Sequence, residues 1–190
     1  MSNIIATTER LIIREIEEGD KENALRLLKE SSMQWHTSMS EEFIAAYDEA
    51  CWKEITSPKT FNGMIFLREG GEFVGKICMQ SVDKPLPELG IDIIKVHQNH
   101  GYAPEAIVAF CNWYSEKCGL KEVKVRIMKE NTHSIHIFEK LEAKYVKPSS
   151  LVSESFLDKV KQMLPDADLT DLNQDSVREY ILRLPLEIGG

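Results

Sequence analysis

The sequence lacks a basic excess. Its 23 lysines and arginines face 31 aspartates and glutamates, for a net charge of −8. A surface that tracks nucleic-acid phosphates needs the opposite sign, so no nucleic-acid partner is expected. Long apolar runs are missing as well, and no segment approaches the length of a membrane span. The opening "MSNIIATTER" has no charged segment leading into an apolar core, so no secretory signal is expected. The four cysteines, Cys51, Cys78, Cys111 and Cys118, form no close C-x-x-C pair. Three of them sit in apolar-periodic segments, where free cysteine is usually a small core residue. These absences point to a reduced, cytoplasmic protein. There is no internal repeat and no low-complexity linker.

What is present is an ordinary globular composition, 43% hydrophobic and 28% charged, in 190 residues. That length suits one domain spanning 1–190 with a real core. Periodicity gives the element order. "ERLIIREI" (9–16) reads as the first strand, and "EEGDKENALRLLKESS" as a helix with Ala24, Leu25, Leu27 and Leu28 inward and Asp20 as its cap. A second helix is expected from about Ser40 to Ile55, with Phe43, Tyr47, Ala50 and Ile55 near helical spacing. The period then drops to two. "FNGMIFLREGGEFVGKICMQSV" is two strands around a two-residue hairpin at Gly70-Gly71, and "ELGIDIIKV" is a third.

A helix follows, opened by Pro104 and Glu105 and stopped by Gly119, with Ala103, Ala106, Ile107, Phe110, Trp113 and Tyr114 on its apolar face. "KEVKVRIM" alternates as a strand with Val123, Val125 and Ile127 on one side. "NTHSIHIFEKLEA" is a helix with Ile135, Phe138 and Leu141 inward, and "KYVK" a short strand. A helical extension at about 149–176 precedes a closing strand, "SVREYILRLPL".

The stretch "VHQNHGYAPEA" (96–106) carries the chemistry. A strand that ends in a tight turn at a glycine and then opens a helix presents unpaired N–H groups, which suit a pyrophosphate. His100 adds a further donor. The plain alternative is that Gly101 only permits the turn. A zinc site from the H-x-x-H pairs His97/His100 and His133/His136 would need convergent, supported ligands, and no metal is expected.

Within that stretch, "QNHGYA" resembles the Q/R-x-x-G-x-G/A loop of the GNAT superfamily of N-acetyltransferases. "ELGIDIIKVHQNHGYAPEAI", "TERLIIREI" and "KENTHSIHIFEKL" are similar, in family order over about residues 7 to 147, to the branch with the ribosomal-protein N-terminal acetyltransferases. The resemblance implies an α/β (α+β) fold whose mixed, mostly antiparallel sheet is flanked by helices and splayed between its fourth and fifth strands. It implies acetyl-CoA as cosubstrate, its pantetheine arm on the backbone of Ile91, Asp92 and Ile93. The pyrophosphate would lie on Gln98, Asn99, His100, Gly101, Tyr102 and Ala103, with Asn131 and Ser134 near the arm. Asn131 also reads as a helix cap.

Acetyl transfer needs a group to take the amine proton, and the resemblance puts Glu88 there, with Asp92 second because it shares strand parity. The family tyrosine that protonates the thiolate is replaced by Phe138, and the usual Leu-Gly-Phe by Leu141-Glu142-Ala143. Trp35 and His36, between the first two helices, are the candidate acceptor-binding residues. The expected activity is transfer of acetyl from acetyl-CoA to a primary amine of a peptide, an amino acid or another small molecule. A non-catalytic acyl-CoA-binding sensor is the alternative. A homodimer is compatible with the sequence.

Overall fold

The computed structural model describes residues 3–31, 41–150 and 176–187. Its contacts fall into two compact units, Met1–Val123 with Leu184–Gly190, and Lys124–Arg183. Among the described residues there are eight strands and four α-helices, so the chain is α/β with mostly antiparallel pairing, as the sequence implied.

The first unit is built on an antiparallel meander of β1 (Ile4–Thr7), β2 (Leu11–Glu15), β3 (Thr60–Leu67), β4 (Phe73–Gln80) and β5 (Glu88–Ile93). β1 was not expected. It is short, and its one buried side chain, Ile5, gives too little alternation to stand out from the N-terminus. The strand expected as fourth is therefore fifth in chain order.

Between β2 and β3 run α1 (Lys21–Ser31) and α2 (Glu41–Ile55). Ala24 and Leu27 of α1, Trp52 of α2, Met64 of β3, Phe73 of β4 and Ile94 form one buried cluster on one face of the sheet. Asp20 does not cap α1 directly. It ends a short 3-10 turn, Glu18–Asp20, where its carboxylate accepts from the Glu17 N–H and from both Arg14 Nη atoms at 2.7 Å. The bidentate pairing compensates for burying Asp20, and the Asp20 hydrogen bond raises the Arg14 pKa. On α2 the expected stripe holds in part: Ile55 packs against the cluster, but Tyr47 and Ala50 are exposed and Trp52 carries the packing.

The opposite face of the sheet carries α3 (Tyr102–Cys118). Phe61 stacks against Trp113 at 5.4 Å and lies 6.0 Å from Phe110. Ala106, Ile107, Phe110 and Tyr114 are buried as expected. Gly119 stops the helix at φ 69, its N–H donating to the Ser115 carbonyl. The β3–β4 hairpin is longer than the Gly-Gly signal suggested. Leu67 N–H reaches the Glu72 carbonyl, so the turn spans Arg68 to Gly71, with both glycines at positive φ.

β6 (Glu122–Met128) starts in the first unit and continues from Lys124 in the second, which also holds α4 (Thr132–Lys140), β7 (Lys144–Ser149) and β8 (Val177–Arg183), with β7 and β8 antiparallel. Val123, Val125 and Ile127 of β6 are buried, and so are Ile135 and Phe138 of α4. The segment expected as a helical extension lies almost wholly outside the described residues.

Candidate active site

β5 does not continue to Val96. It ends at Ile93: the Ile94 N–H still donates to the Val74 carbonyl with Ile94 in the buried cluster, and the chain then leaves the sheet in a 3-10 turn. The Lys95 N–H then donates to Glu30 Oε2 of α1 at 2.9 Å. Lys95–His97 make one 3-10 turn, and the chain enters α3 through Gln98–Gly101. Asn99 and Gly101 both take left-handed backbone conformations, φ 64 and φ 77. Alternation of this kind curls a loop so that successive N–H groups point into one concavity. Among the described residues no protein acceptor takes the N–H groups of Asn99, His100 or Gly101. Tyr102 and Ala103, first in the helix, have N–H groups without intrahelical partners. The N–H groups expected to meet a pyrophosphate are therefore in one loop.

Two side chains expected at the cosubstrate have local work. The Gln98 Nε2 donates to the Ile93 carbonyl at 2.9 Å, closing the turn over its own loop. The His100 Nδ1 lies 2.7 Å from the Gln98 carbonyl. A carbonyl only accepts, so Nδ1 carries the proton, and Nε2 becomes a donor only in the imidazolium form. The His100 ring stacks on Tyr102 at 5.6 Å, while His97 faces Glu72 at 3.7 Å. Both rings flank Tyr102, His97 edge-on at 6.1 Å and His100 stacked. No group of three or more His, Cys, Asp or Glu side chains is placed to hold a metal among the described residues.

On the other side of the loop lie contacts that the sequence did not announce. Arg10 Nη1 donates to the His100 carbonyl at 2.9 Å and Nη2 to the Gly101 carbonyl at 3.4 Å. Its Nε donates to Glu105 Oε2 at 2.7 Å, and Thr8 Oγ1 donates to Glu105 Oε1. The guanidinium sits 4.9 Å from the centre of the Tyr102 ring. The visible hint was "TER" at a strand start, a polar cluster whose partner stands 95 residues away.

Register assigns the faces of β5. Glu88, Gly90 and Asp92 oppose Gln80, Cys78 and Lys76 of β4, in the row of Met64, on the α1–α2 face. A Cβ placed on Gly90 would lie 3.0 Å from the Cys78 Sγ, so the glycine makes room for that buried thiol. Leu89, buried, turns the other way with Met79. Glu88 is half-buried at the first residue of β5, and Asp92 is exposed near its end. Parity therefore holds, and the half-buried carboxylate is the one at the strand start. Lys76, buried in this same row opposite Asp92, is a charged neighbour that alternation alone concealed.

Asn131 caps α4, its side-chain oxygen accepting from the Ser134 N–H at 3.0 Å. Both residues belong to the second unit. Trp35 and His36 lie outside the described residues.

The profile of the acetyltransferase (GNAT) domain matches residues 10–144. The chain belongs to the GNAT acetyltransferase family. No curated protein sequence matches this GNAT chain. Solved structures share its fold at low identity. A domain from Methanocaldococcus jannaschii is 20% identical with TM-score 0.64, covering 92% of this chain and 98% of that one. A mutant of the SpeG spermidine N-acetyltransferase from Vibrio cholerae is 17% identical with TM-score 0.63, at 93% and 95% coverage. RimL, a ribosomal L7/L12 α-N-protein acetyltransferase in complex with coenzyme A, is 13% identical with TM-score 0.67, at 96% and 99% coverage. Two of these solved structures are N-acetyltransferases, one named for spermidine and one for a ribosomal protein.

Proposed function

We propose that this GNAT protein transfers an acetyl group from acetyl-CoA to a primary amine of a peptide, an amino acid or another small molecule. The observation that carries the reading is the Asn99–Ala103 loop: positive φ at Asn99 and Gly101 and unpartnered N–H groups lead into the α3 N-terminus, inside the matched family region. A helix start with free amides suits a pyrophosphate. The resemblance gives the backbone of Ile91–Ile93 to the pantetheine arm and adds Asn131 and Ser134 to that arm.

In the reaction the amine nitrogen bonds to the thioester carbonyl carbon and the C–S bond breaks. The amine proton passes to Glu88, directly or through water. The thiolate takes its proton from water or another group, since Phe138 has no proton to give and is buried. A half-buried carboxylate is suited to base work because it can reach the amine while partly screened from bulk water. Trp35 and His36 remain the proposed acceptor contacts. Four free cysteines support a reducing, cytoplasmic setting. No helix among the described residues is long and apolar enough to cross a membrane.

Thermal unfolding with acetyl-CoA, adenosine diphosphate or zinc tests the reading. A native-state ligand at a hundred times its Kd stabilises by about 2.7 kcal/mol, a shift of roughly 5–10 °C for a chain of this size. A shift with acetyl-CoA, followed by thiol release when amines are screened, is the expected outcome. No shift at millimolar acetyl-CoA would reduce the loop to a turn. Binding without thiol release for any amine would favour the non-catalytic acyl-CoA sensor.

A further inference from the structure

The loop Asn99–Ala103 has two sides, and Arg10 holds one of them. In a trans peptide the C=O and N–H point in opposite directions. Drawing the His100 carbonyl toward Arg10 therefore turns the Gly101 N–H away from it, and drawing the Gly101 carbonyl turns the Tyr102 N–H away. Both N–H groups lie in the run that the acyl-CoA reading gives to the pyrophosphate.

Glu105 adds a second element. A carboxylate in the first turn of a helix is attracted to the same N-terminal partial charge that an incoming anion would use. Left free, it would compete with a pyrophosphate for that end. It is not free: Thr8 Oγ1, the Arg10 N–H and the Arg10 guanidinium all donate to it from the turn between β1 and β2. The same guanidinium rests on the Tyr102 ring, so its position is fixed from three directions. A Cβ on Gly101 would make only an ordinary contact, 3.4 Å, with Arg10 Nη2, so the glycine is called for by its positive φ and not by the guanidinium.

We infer that Arg10 is a positioning residue for the cosubstrate pyrophosphate: braced by Glu105 and Thr8, it holds the His100 and Gly101 carbonyls on one side of the loop and presents the N–H groups on the other. The inference rests on the acyl-CoA reading of this loop. Arg10 acts through the backbone and need not touch the phosphates. Its fork geometry matters because one planar group serves two carbonyls and a carboxylate together, which an ammonium cannot do.

The test is a comparison of two ligands. The Kd values of acetyl-CoA and of pantetheine, which has no phosphate, are measured for the wild type, R10Q and R10K, with unfolding temperatures recorded alongside. R10Q is expected to weaken acetyl-CoA by about tenfold and pantetheine by less than about threefold, because only the first ligand uses the oriented amides. R10K, which keeps the charge and loses the fork, is expected to fall between wild type and R10Q. If R10Q does not fold, R10K alone carries the comparison.

Unchanged acetyl-CoA affinity in the variants, or equal weakening of both ligands, overturns the inference. So does full recovery in the R10Q/E105Q double variant, since Arg10 would then act only by neutralising a carboxylate. Wild-type protein that binds no acetyl-CoA removes the parent reading and this inference with it. Wild-type binding with unaltered variants removes the inference alone.

Discussion

Gly75 of β4 lies against the backbone of Asp92 in β5 so closely that a methyl group on the glycine would run into the Asp92 carbonyl oxygen. The same methyl would meet the Ile93 Cδ1 at 3.0 Å and the Ile93 Cα at 3.1 Å. The last turn of β5, from which the loop to α3 departs, is therefore seated on a residue without a side chain.

Substituting Gly75 by Ala is expected to destabilise the protein by about 1–3 kcal/mol, the usual cost of overpacking where backbone cannot give way. Urea unfolding at neutral pH measures it. The unfolding temperature should drop by roughly 2–4 °C per kcal/mol. Acetyl-CoA affinity should weaken too, because Ile91–Ile93 and the following loop would be displaced. Stability equal to wild type would mean that β4 and β5 part readily here.

Replacing Glu88 by Gln is expected to lower kcat with a responsive amine by about a hundredfold or more, as loss of a positioned base does. The acetyl-CoA Kd should stay near the wild-type value, since the change lies at the opposite end of β5 from the loop. Intact turnover would move the role of base elsewhere, with Asp92 on the same face as the next to be replaced.

The Glu105 carboxyl titrates below its ordinary value of 4.5. Burial pushes it up, but the hydrogen bonds from Thr8 and Arg10 and the charge of Arg10 outweigh that push. A group whose pKa is depressed by folding stabilises the native state fully above its unfolded value and loses that contribution as pH falls through the folded value. The stability gap between wild type and E105Q is thus expected to be widest near neutral pH, to begin closing near pH 4.5 and to narrow further below it. Denaturant unfolding of both proteins from pH 7 to pH 3 measures the gap. A gap independent of pH would show that Thr8 and Arg10 do not favour the ionised form.

Elements with strong local signals were legible in the sequence. The α3 helix has its stripe of Ala106, Ile107, Phe110 and Tyr114, Pro104 in its first turn and Gly119 at its end, all set by neighbours within a few residues. β6 alternates cleanly, with Val123, Val125 and Ile127 inward. The left-handed turn at Gly101 was readable because few other residues take that conformation cheaply.

Weaker or mixed signals misled. β1 is too short to show alternation, and helical spacing on α2 placed Tyr47 and Ala50 inward where Trp52 does the packing. Asp20 carries the residue type of a cap, but a turn of 3-10 helix intervenes and gives its carboxylate to Arg14. The end of β5 was placed late because Val96 prolongs the apolar run, whereas the chain leaves the sheet in the 3-10 turn Lys95–His97.

The sequence by itself determined the family, the order of most elements and the loop that presents free amides, because each is written in residues close together in the chain. Only the tertiary structure decided what holds that loop. Arg10 and Glu105 are far apart in sequence, and each alone looks like an ordinary surface charge. Sheet register and the packing of α3 bring them together, and no local pattern encodes a contact made by closing so long a stretch of chain.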